Sequence, residues 1–103
     1  MKEKRKSRRF ELKLPFRLLH GGTGIEGETR NLSSVGVLFD CPVELSIGQP
    51  IEYVITLPTK EHGTSVKLRC VGKVVRTHAR SETATGSVIA TAATLERYEF
   101  VHH

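Results

Sequence analysis

The chain predicts a small all-β domain, an antiparallel barrel of about six short strands. Three observations lead there. Val, Ile, Thr and Phe are frequent and fall into short runs where apolar and polar positions alternate. Gly and Pro punctuate those runs at short intervals, as turns require. A chain of 103 residues makes one domain. It buries about two-thirds of its unfolded surface, and a sheet of that size avoids sticky edges by closing on itself.

Phe10, Leu12, Leu14, Phe16 and Leu18 alternate with Glu11, Lys13, Pro15, Arg17 and Leu19, so the first set lines one apolar face. Pro15 has no N–H and belongs at an edge or a bulge. Gly21-Gly22-Thr23-Gly24 is a turn, and a second strand follows over 25–30. Residues 31–36 link it to an apolar strand, Val37-Leu38-Phe39, which Asp40-Cys41-Pro42 ends. After a glycine-containing loop over 45–50, Ile51, Tyr53, Ile55 and Leu57 mark a strand stopped by Pro58. Residues 59–65 form a polar hairpin loop. Val66, Leu68, Cys70, Gly72 and Val74 share one face of the next strand, and Lys67, Arg69 and Lys73 make its other face wet. Residues 79–86 read as a polar turn region and 86–94 as the last strand. In the tail, Leu95, Tyr98 and Val101 fit a short helix, while Tyr98, Phe100 and His102 fit an edge strand; both stay open.

Charge is distributed unevenly. Residues 1–9 hold Lys2, Lys4, Arg5, Lys6, Arg8 and Arg9 against Glu3, which matches the net charge of +5 for the whole chain. The rest carries ten cations and ten anions and is neutral. Two parts are therefore expected: a flexible basic arm over 1–9 and a β-barrel domain over 10–103. The arm has no apolar periodicity and cannot fold by itself. It reads either as a device for catching a phosphate-bearing anion or as a plain solvated tail.

Several classes are excluded. Cys41 and Cys70 are too few for a disulfide scaffold or a zinc site, and each is expected as a small buried apolar residue. The five histidines show no metal-ligand spacing. No apolar run reaches the roughly 18 residues of a membrane span, and no apolar segment follows the basic start as in a signal peptide. The expectation is a cytoplasmic protein that does not insert into membranes. GxSxG, P-loop and HExxH patterns and spaced carboxylate clusters are missing, so neither an enzyme nor a cofactor is expected.

Two stretches carry chemistry: Arg5-x-x-x-Arg9 in the arm, and Asn31-x-Ser33-x-x-Gly36 between two strands. Together they resemble the PilZ domain, a bacterial receptor for the second messenger cyclic di-GMP. That family shows RxxxR before its first strand and [D/N]xSxxG farther on. Phe10, Leu14-Pro15 and the strand Gly72-Lys73-Val74-Val75-Arg76 extend the likeness, which covers essentially the whole chain from Arg5 onward. The resemblance implies a split-barrel type of fold. It implies ligand contact by Arg5, Arg9, Asn31 and Ser33, with Gly36 shaping the loop. Arg8, Arg30 and Arg76 are secondary candidates.

Those residue types suit such a ligand, which carries two phosphodiesters and two guanines. Arginine offers a planar fork of donors that matches phosphate oxygens or the O6/N7 edge of guanine, and its flat face stacks on a base. Asn31 both donates and accepts, as a guanine edge requires. In an extended arm Arg5 and Arg9 stand about 13 Å apart, at about 3.3 Å per residue, so binding has to bend and order the arm.

Two other readings compete with a cyclic di-GMP receptor. An OB-type barrel for nucleic acid needs aromatic platforms and charge along a groove. The chain has no Trp, two Tyr, four Phe and a neutral body, which disfavours it. A PilZ-like domain that only docks a protein would have no need for the Arg5/Arg9 and Asn31/Ser33 sets. A receptor of this size is expected to act on a separate downstream protein.

Overall fold

A computed structural model describes residues 13–20, 22–59, 63–83 and 86–101. These residues form seven strands: β1 (Pro15–His20), β2 (Thr23–Leu32), β3 (Gly36–Cys41), β4 (Pro50–Pro58), β5 (Ser65–Thr83), β6 (Gly86–Thr94) and β7 (Arg97–Val101). All their pairings are antiparallel. The sheet runs β4-β1-β2-β3-β6-β5, and a further β4–β5 pairing closes it into a six-stranded barrel. This is the all-β barrel that the alternation predicts. β7 is the seventh strand and pairs with β5 outside the ring.

The alternating residues point where period two sends them. Phe16, Leu18, Phe39, Tyr53, Ile55, Cys70 and Val74 are buried. Cross-strand pairing joins Phe16 to Ile55 and Leu18 to Tyr53. It also joins Tyr53 to Cys70. Three rings stack at the centre, with centroids 4.1 Å apart for Phe16–Phe39 and 5.3 Å for Phe16–Tyr53. The Tyr53 hydroxyl donates to the Thr94 carbonyl at 2.9 Å, so the largest core side chain also anchors the end of β6. Burial holds the Tyr53 phenol and both thiols in their neutral forms: Tyr53 and Cys41 are pushed up, and Cys70 up to about 12. Cys41 and Cys70 are free and buried, as expected. Before β1, Leu14 is buried and its N–H donates to the Thr29 hydroxyl at 2.8 Å.

One element differs from the sequence reading, and one open reading is decided. Residues 79–83 are not a turn but the end of a 19-residue β5. The pairs Arg80↔Ile89, Ser81↔Val88, Glu82↔Ser87 and Thr83↔Gly86 continue the ladder with β6. β3 stops pairing with β6 at Cys41↔Ile89, so this two-stranded ribbon projects past the wall. A projecting ribbon has no core to cover, and its polar composition is that of a turn. The tail resolves to a strand, β7, whose Tyr98 and Phe100 are exposed.

Candidate functional site

Two irregularities in the ladder build the site. Between Thr29 and Asn31 the β2–β3 register shifts, so Arg30 is an extra residue and Asn31 stands opposite Leu38. Between Val74 and Arg76 the β5–β6 register shifts in the same way, with Val75 extra and Arg76 opposite Ala92. Thr29 and Val74 face the core. Strict alternation would turn Asn31 and Arg76 inward with them. Each bulge turns the next side chain outward instead. Leu38 pairs with Ala92, so the two bulges complete one lateral row on the outer wall: Asn31, Leu38, Ala92 and Arg76. Four strands at about 4.8 Å spacing make this row about 14 Å long.

The loop after β2 borders the row. Ser33 N–H donates to the Gly36 carbonyl at 2.9 Å. The Ser33 hydroxyl accepts from Gly36 N–H at 3.2 Å and from Val35 N–H at 3.3 Å. Ser33 therefore shapes the loop with the same oxygen that the resemblance assigns to the ligand. Gly36 is a glycine because of close approach rather than a positive φ: an added Cβ would lie 2.9 Å from the Ala93 carbonyl oxygen. The Val35 carbonyl accepts from Leu95 N–H at 2.9 Å, which pins the loop to the corner between β6 and β7. A shallow groove of about 400 Å³ runs over this surface, lined by Asn31, Ser33, Gly36, Leu38, Arg76 and His78 among others.

A second groove of about 600 Å³ adjoins it, lined by Lys13, Glu28, Arg30, Asn31, Leu38 and Asp40. Asn31 and Leu38 line both. The Arg30 guanidinium donates to Asp40 Oδ2 at 2.8 Å, so its charge is compensated on the spot. Asp40 Oδ1 is buried and has no hydrogen-bond partner among the described residues. Arg76 is exposed and is in no ion pair among the described residues, which makes it the uncompensated cation of the row.

Asn31, Ser33, Gly36 and Arg76 thus meet on one wall, and Arg30 stands beside them in its ion pair. Arg5, Arg8 and Arg9 lie outside the described residues. Lys13, the first described residue, borders the second groove. Sequence reasoning missed His78, Leu38 and Ala92. Their signal was register, which no local pattern carries. No group of metal-ligating side chains occurs among the described residues.

The closed barrel and the loop over 31–36 can be set against known proteins. The family model for the PilZ domain matches residues 3–98. The chain belongs to the PilZ domain family. PilZ domains are generally cyclic di-GMP receptor modules, ligand-binding effectors and not enzymes. The solved structure of the Bacillus subtilis inhibitor of motility (MotI/DgrA) superposes on this PilZ domain with a TM-score of 0.73 at 15% identity. The match covers 94% of this chain and 44% of that one, and at this identity it shows a shared fold. None of the curated proteins matches. No helix among the described residues is long and apolar enough to cross a membrane.

Proposed function

We propose that this PilZ domain is a cyclic di-GMP receptor in which Arg5 and Arg9 clamp the dinucleotide against the outer row of β2, β3, β6 and β5. The observation that carries the reading is the pair of bulges that turn Asn31 and Arg76 onto one wall beside the motif loop. The wall between them, Leu38 and Ala92, is apolar and low, as a base lying flat requires. Asn31 offers donor and acceptor to a guanine edge, and Arg76 offers a guanidinium in no ion pair among the described residues to a phosphate or a base face. The Ser33 hydroxyl holds the loop with both lone pairs, and its proton turns from the Gly36 carbonyl, 3.3 Å away, to the ligand. The arm supplies the charge that the neutral body lacks, and each charge-assisted arginine contact is worth about 1.5–3 kcal/mol. Closing the arm over the wall changes the surface offered to a downstream protein partner, a shift driven by contacts that exist in the bound state alone.

Titration calorimetry with cyclic di-GMP, GTP and single-stranded DNA tests this. Cyclic di-GMP is expected to bind, and GTP and DNA much more weakly. Arg9→Ala and Asn31→Ala are expected to weaken binding about tenfold or more each without lowering the melting temperature, because Asn31 lies on the outer wall and Arg9 belongs to the stretch without apolar periodicity. Tight DNA binding with no dinucleotide binding would hand the chain to the nucleic-acid reading.

A further inference from the structure

On the side of the barrel formed by β4, β5 and β7, the sheet ends in an open edge. β7 pairs with β5 from Val71↔Arg97 to Lys67↔Val101, and among the described residues nothing pairs with its other side. It contains no proline to blunt it, and such an edge is a template for another strand. Tyr98 and Phe100 share the face of Cys70 and Leu68, which line the core, yet they sit past the ring closure and are 60% and 53% exposed. Their rings meet edge to face with centroids 6.1 Å apart. On the opposite face Glu52 is ion-paired to Arg69, and Arg69 stands across from Glu99. Arg97 and Glu99 are exposed and form no ion pair among the described residues.

The order Arg97-Tyr98-Glu99 is complementary to itself in reverse. We propose that two copies of this PilZ domain associate edge to edge through β7, antiparallel, about a two-fold axis at Tyr98. In that register Tyr98 faces Tyr98 of the second copy, and Arg97 of each copy faces Glu99 of the other, twice by symmetry. From Glu52, which reaches Arg69 diagonally, through Arg69 to Glu99 opposite it, the charges alternate in sign, and the second copy's Arg97 continues the alternation. An axis moved to Glu99 opposes two carboxylates, and an axis moved to Arg97 opposes two guanidiniums, so charge selects the register. The exposed tyrosine and phenylalanine rings of both copies then form one apolar cluster across the joint. A five-residue edge falls short of the roughly 800 Å² per partner of a stable interface, so the dimer is weak and concentration-dependent.

Sedimentation equilibrium of the full chain from about 10 μM to about 1 mM tests the proposal. A reversible monomer–dimer equilibrium is expected, with the dimer fraction falling as salt rises. Glu99→Arg and Arg97→Glu each oppose like charges across the joint and are expected to weaken association at least tenfold. The double variant R97E/E99R restores opposite charges and is expected to recover it. Its recovery separates intermolecular pairing from local damage, because Arg69 still faces an arginine at position 99 in that variant. A chain that stays monomeric over the whole range, a dimer indifferent to the single changes, or a double variant without recovery overturns the proposal.

Discussion

Two outer faces of one barrel treat charge in opposite ways. On the β2–β3–β6–β5 wall the outer row sets Leu38 and Ala92 between an amide and a guanidinium that is in no ion pair among the described residues. The β4–β5–β7 wall is a lattice of alternating charges in which Glu52 and Arg69 already satisfy each other. The Arg69 guanidinium is held above its ordinary range, first by its hydrogen bond to Glu52. A wall with an unsatisfied cation and a flat apolar floor suits a planar anionic ligand brought by a basic arm. A wall whose charges nearly cancel offers such a ligand no net attraction and suits a surface patterned like itself. The two are built on the same strand, β5, and differ chiefly in where the ladder is irregular.

The comparison can be broken from either side. Removing residues 1–9 should have the largest effect, a loss of cyclic di-GMP affinity of at least about 100-fold by calorimetry, because two charge-assisted contacts go together. The same truncation should leave self-association through β7 unchanged. An unaltered affinity would mean that the wall alone holds the ligand. Gly36→Val comes next. The added side chain meets the Ala93 carbonyl, and overpacking of this kind costs about 1–3 kcal/mol. Chemical denaturation should show that loss, and calorimetry should show weaker binding as the loop shifts. Normal binding would separate the loop from the site.

A third experiment tests what the faces share. Cys70 is fully buried and its pKa is raised from 9.0 to about 12. Cys41 and Tyr53 are raised in the same direction. A raised folded-state pKa stabilises the protein fully below the unfolded value and ceases to do so as pH climbs through the folded one. The melting temperature should therefore hold up to about pH 9 and fall between about pH 9 and 12, and both faces should fail together. Cys70→Ala should lower stability at neutral pH and flatten that alkaline fall. The smallest effect belongs to Arg69→Met, which removes an exposed ion pair and should leave the melting temperature and ligand affinity nearly unchanged.

Much of the barrel was legible because its interior is periodic. Ile51, Tyr53 and Ile55 alternate without interruption, and all three are buried. Leu45 and Val74 are buried too, although the pattern around them is less regular. The long β5 was read too short, because Ser81 and Glu82 face solvent on a ribbon that borders no core. The motif loop was legible as residues, but its geometry was not. Arg30 and Val75 look like ordinary strand positions, and only pairing with β3 and β6 reveals them as the extra residues that re-aim Asn31 and Arg76. Ser33 shows the same gap, since its three local hydrogen bonds follow from a loop closed by a glycine that has no room for a Cβ.

The corner between β6 and β7 joins the two walls. Leu95 N–H is held by the Val35 carbonyl of the motif loop and Glu96 N–H by the Val71 carbonyl of β5, each at 2.9 Å. One short piece of backbone is thus a shared boundary condition for events on both sides. By thermodynamic reciprocity, any factor by which nucleotide occupancy alters dimer formation must equal the factor by which dimer formation alters nucleotide affinity. A domain this small would then report messenger level and its own concentration through a single equilibrium.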